Sequence, residues 1–176
     1  MPYGSPPTPI GRLLFAEAYL RGALALLETD TGAVHRDSPV RFLYIHAIEL
    51  TFKALLALNE KTDADLRKLN HSLRAVAKQC EPFGLRLSAE EYGFLSVIDE
   101  SGHQNASRYL RVGSARFPDF FYMHQTARYW FQFVCLQFKR AGIPLRPDVS
   151  AIPHHPKIRA EEGDDAPGQD ELNPGI

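Results

Sequence analysis

Cysteine is scarce in this sequence. Cys80 and Cys135 are the two, and neither stands in a CxxC or a Cys/His metal spacing. That sets aside a disulfide framework and a zinc site, and both cysteines are expected as reduced core residues. No run of about 18 apolar residues occurs, so no membrane span is expected. The first residues, MPYGSPPTPIG, lack the basic end and apolar stretch of a signal peptide. The expected location is therefore the cytoplasm. There is no glycine-rich phosphate loop and no nucleophile–base pair at a known spacing. No metal and no cofactor is expected.

Strong charge is also missing, since the 176 residues sum to −1. The balance is uneven along the chain. From Pro144 onward three basic residues face seven acidic ones, a net of −4, which leaves +3 for residues 1–143. A mildly basic body gives only a weak signal for nucleic acid. Prolines 144, 147, 153, 156, 167 and 174 interrupt the same C-terminal stretch. Residues 144–176 are therefore expected to be an acidic, disordered tail, with His154 and His155 bland within it. Residues 1–143 are expected to be one domain.

What the sequence does have is helical spacing, with 44% hydrophobic residues to fill a core. TPIGRLLFAEAYLRGALALLE opens with Thr8 as cap and Pro9 at the first helical position. SPVRFLYIHAIELTFKALLALNE repeats that signal with Ser38 and Pro39. TDADLRKLNHSLRAVAKQC places Leu66, Leu69, Leu73 and Val76 on one face. SAEEYGFLSVID begins with the Ser88/Glu91 capping box. PDFFYMHQTARYWFQFVCLQFKRAG runs to Gly142 and Pro144. No strand-like alternation and no internal repeat occurs. An all-α antiparallel bundle of about five helices is expected.

One connection is too long for such a bundle. Residues 101–117 separate the fourth and fifth segments, where about two to eight residues usually suffice. This stretch carries Arg108, Arg111 and Arg116 with His103, Tyr109 and Phe117, and no acidic residue. Two readings stand. Arg108 and Arg111 pair with phosphates while Tyr109 stacks on a base or ribose. Alternatively, Arg108 closes an ion-pair network with Glu49 and Tyr109 packs over the helices.

The second helix is apolar nearly all round, except for residues including His46, Glu49 and Lys53. These lie within roughly 60° of one another around the helix. They are either a satisfied ion pair at the bundle edge or a polar pocket facing the long loop. His71 sits off the apolar face of the third segment, either as a boundary hydrogen-bonding residue or as a ligand contact. The aromatic-rich last helix reads mainly as core plus a partner surface. Gln125, Arg128 and Gln132 read as its solvated line.

YIHAIELTFKALLALN, then LRKLNHSLRAVAKQCEPFGLRLS, then SRYLRVG resemble the HEPN superfamily over about residues 40–140. The resemblance rests on His-Ala-Ile-Glu-Leu-x-x-Lys-Ala at 46–54, on Leu-x-His-Ser-Leu at 69–73, and on Arg108-Tyr109. It implies a small prokaryotic helical bundle tied to RNA or nucleotide chemistry and defence or toxin–antitoxin systems. It also implies a homodimer and a nucleotidyltransferase protein as partner.

Catalytic members carry Arg, four to six residues, then His, near the start of a late helix. Here Arg116 and His124 are separated by seven residues. Arg41 and His46 have four between them but lie on the second helix and point about 140° apart. The ribonuclease activity is therefore not expected; Arg116 and His124 would carry it if it were present. The expected ligand residues are Arg108, Tyr109 and Arg111, supported by His46, Glu49, Lys53 and His71. The alternative is an interaction module using the last helix.

Overall fold

The computed structural model describes residues 7–29, 32, 37–100 and 118–156. Among them are six α-helices and one 3-10 turn. The helices are α1 (Pro9–Glu28), α2 (Asp37–Leu58), α3 (Asp63–Lys68), α4 (Leu73–Cys80), α5 (Ala89–Glu100) and α6 (Phe120–Arg140). No described residue lies in a strand, and the fold is all-α. The long basic stretch, 101–117, falls outside the described residues, and so do Arg108, Tyr109, Arg111 and Arg116.

The starts follow from local chemistry. Thr8 accepts from Gly11 N at 3.1 Å, ahead of Pro9 in the first turn of α1. α2 begins at Asp37, one residue before the expected cap Ser38. Ser88 and Glu91 form the reciprocal capping box of α5, at 2.7 and 3.1 Å. Glu91 also accepts the buried indole N–H of Trp130 at 3.0 Å, so one carboxylate caps a helix and satisfies the core.

α2 is the central helix. It packs against α1, α3, α4 and α6. It buries Tyr44, Ile48, Phe52, Leu55 and Leu56, as its nearly continuous apolar surface requires. Trp130 of α6 meets Phe52 at 5.0 Å and Phe94 of α5 at 6.0 Å between ring centroids. The aromatic content of α6 is thus largely core: Trp130, Phe131 and Phe138 are fully buried. No described helix is long and apolar enough to cross a membrane.

Two expectations need correction. The single third helix is two. Asn70 takes a positive φ of 50°, which breaks the chain between α3 and α4. Asp99 of α5 then caps the new start, accepting from Leu73 N at 2.8 Å, Arg74 N at 3.1 Å and Ser72 Oγ at 2.8 Å. A carboxylate 26 residues away from Leu73 thus joins the local cap Ser72, which accepts from Ala75 N at 3.2 Å, at the start of α4.

The second correction concerns residues 144–156, which are not a loose tail. Val149 and Ile152 are buried in the main core, and His155 is buried as well. The prolines interrupt regular helix, but they do not prevent an irregular segment with a turn at residues 147–150 from packing. Residues 157–176 lie outside the described residues.

Candidate functional site

Glu49 is the centre of the polar group on α2. It is 4% exposed. A carboxylate so placed is costly unless paired and hydrogen-bonded. Lys53, one helical turn on, bonds to Glu49 Oε1 and also donates to Asn70 O at 3.1 Å. His71 brings Nδ1 to 3.0 Å from Oε1. His46 Nδ1 stands 3.9 Å from Oε2. His46, Lys53 and His71, three of the residues expected from the sequence, therefore converge on the carboxylate of a fourth, Glu49.

Their placement follows from the helix break. Asn70 leaves the α-helical path, which carries His71 over α2 and offers the Asn70 carbonyl to Lys53. Aromatic rings hold His46: Tyr19 of α1 meets it edge-on at 4.6 Å and Phe42 stacks on it at 5.6 Å. The His71 side chain is 63% exposed, so it opens the group to solvent. A neutral His71 that donates Nδ1–H to Glu49 carries its acceptor lone pair on Nε2. The group can hold a proton donor or an acceptor at the surface, backed by a buried anion.

Beside it lies a cleft of about 160 Å³ lined by Arg12, Lys53 and Arg67 with Pro7, Asp63 and Leu66. Arg12 is tied to Asp63, so this ion pair links α1 to α3. Lys53 belongs to both the cleft and the Glu49 group.

His124 lies elsewhere and is 0% exposed. Its Nε2 donates to Pro153 O at 2.9 Å, because a carbonyl can only accept. Its Nδ1 then accepts from the Tyr44 hydroxyl at 2.9 Å. Burial is the main cause holding its pKa below the usual 6.5. Burial also raises the Tyr44 hydroxyl well above its usual value. This histidine is a structural hub rather than a surface acid or base. Arg41 bonds to Asp37 at 3.3 Å and lies over the Phe120 ring, whereas His46 lies on Glu49, so the pair with four residues between forms no shared centre.

Several partners were missed from the sequence. Arg128 and Gln132, expected on a solvated line, donate to the carbonyls of Ile152 and Ser150 at 2.8 and 3.4 Å. Arg21 of α1 reaches Asp148 O at 2.6 Å and Ala151 O at 3.4 Å. Val149 and Ile152, three residues apart, were the apolar signal in that segment. Among the described residues, no group of three or more His, Cys, Asp or Glu side chains is set to hold a metal.

No family model, no curated protein and no solved structure matches this chain.

Proposed function

We propose that the chain is a HEPN-like, non-catalytic module that binds RNA or a nucleotide as a homodimer in the prokaryotic cytoplasm. Its setting is a defence or toxin–antitoxin system, with a nucleotidyltransferase as partner protein. The observation that carries this reading is the convergence of His46, Lys53 and His71 on Glu49. The first two and Glu49 come from the motif helix of the resemblance, and His71 comes from its second motif. Two separate motifs thus meet at one polar group that reaches solvent through His71. Arg108, Tyr109 and Arg111 supply the phosphate and stacking contacts.

A second reading is an interaction module without nucleic acid. Its support is specific: Tyr129 of α6 and Phe15 of α1 are each 61% exposed, and Leu136 is exposed as well. A divergent ribonuclease using Arg116 and His124 has less in its favour. His124 is closed in by Tyr44 and Pro153, so substrate would reach it only after that packing opened.

The test is fluorescence anisotropy of a labelled single-stranded RNA at two salt concentrations. The expected result is binding that weakens with salt and is lost in a folded Arg108→Ala/Arg111→Ala variant. A wild type that binds neither RNA nor nucleotides would leave the interaction module. RNA cleavage in EDTA, abolished by His124→Ala, would restore the ribonuclease.

A further inference from the structure

We infer that residues 144–156 form a proton-sensitive strap, held closed by neutral His124 and released when His124 is protonated. The strap leaves α6 through Gly142, at φ 75°, and returns over α1 and α6. Val149 and Ile152 seat it in the core. Four side chains of α1 and α6 donate to its carbonyls: Arg21, Gln132, Arg128 and His124. Guanidinium and amide groups do not titrate near neutral pH, so His124 alone among the four can change state there.

A second proton changes the His124 contacts. Nε2 already carries the proton given to Pro153 O, so the new one goes to Nδ1. That turns an acceptor into a donor facing the Tyr44 hydroxyl, which then has to rotate. The new charge has no counter-ion nearby among the described residues. The titratable groups facing it are Tyr44 on α2, Arg128 on α6, and His154 and His155 on the strap, with none from α1. The His155 ring is 5.9 Å away, and the Arg128 guanidinium lies against His154 at 3.3 Å. A buried cation near the Arg128 guanidinium is relieved by opening to water. Two buried side chains, Val149 and Ile152, and these hydrogen bonds hold the strap, and no disulfide ties it down, so it can open while α1, α2 and α6 stay packed.

The sign follows from burial. The closed-state pKa of His124 lies below its ordinary 6.5. The stabilisation of the closed strap is therefore complete above 6.5 and is lost as pH falls from there through the closed-state value.

The experiment is hydrogen exchange of the full chain by mass spectrometry at about pH 7.5 and about pH 5, corrected for intrinsic rates. The comparison is His124→Gln, whose amide can donate to Pro153 O, accept from Tyr44 and never titrate. Strap amides of the wild type are expected to lose protection by up to about tenfold per pH unit within that window. Buried amides of α2 and α6 are expected to hold, and the strap of His124→Gln to stay closed at both pH values. Unchanged strap protection in the wild type overturns the inference. So does opening of the whole bundle together, or a His124→Gln strap that follows the wild type. Should His124→Gln fail to fold, histidine NMR of the wild type decides. The Val149 and Ile152 methyl signals must then shift with the His124 titration, below 6.5; shifts independent of it overturn the proposal.

Discussion

Glu49 and His71 are 22 residues apart in sequence and meet at 3.0 Å, Nδ1 to Oε1. The contact joins α2 to the turn between α3 and α4, and its carboxylate is nearly buried while its imidazole is open. Lys53 completes the balance by bonding to the same oxygen and to the turn itself.

Glu49→Gln leaves the Lys53 ammonium largely buried without its counter-charge. The expected cost is about 3 kcal/mol, seen as a lower urea midpoint with unchanged slope. Glu49→Gln combined with Lys53→Met is expected to regain much of that loss, because no lone charge remains. Additive losses in the double variant would show that the two side chains do not act as a pair.

Asp99→Ala removes the acceptor for two backbone N–H groups and a hydroxyl at the start of α4. A loss of about 2 kcal/mol is expected, against about 1 kcal/mol for Ser72→Ala. Equal effects would mean that the distant carboxylate adds little to the local cap.

The two cysteines are expected to be inert in the native protein. Burial raises the Cys80 thiol far above its ordinary value and pushes Cys135 up to about 12. Thiolate is the reactive form, and almost none is present at neutral pH. An aromatic disulfide reagent should label neither until denaturant is added; prompt labelling of one would place that thiol outside the core.

Ile152→Ala tests whether the strap contributes to stability. Ile152 is 2% exposed, and truncating a buried isoleucine costs about 3 kcal/mol. A loss below about 0.5 kcal/mol, the range of surface substitutions, would return the segment to the status of a tail.

The sequence expectations succeed where one helix carries the whole signal. Thr8, Ser88 with Glu91, and the Glu49–Lys53 spacing are local patterns, and each forms the expected bond. They fail where a distant residue decides. Ser72 is a local cap for α4, but the Asp99 carboxylate that reinforces it lies 27 residues on, and nothing near Ser72 announces it. Proline made residues 144–156 read as a tail, yet Arg21, Arg128 and Gln132 act on strap carbonyls, which leave no mark on the side-chain pattern. Arg128 looked solvated for that reason.

The central claim is that ligand reaches the protein at the Glu49 group and the basic stretch. The most direct measurement is hydrogen exchange of the full chain with and without a saturating single-stranded RNA at low salt. The expected result is slowed exchange in peptides covering His71 and residues 101–117, with the outer face of α6 unchanged. Slowing confined to peptides around Tyr129 and Leu136, or none at any concentration, would contradict the claim.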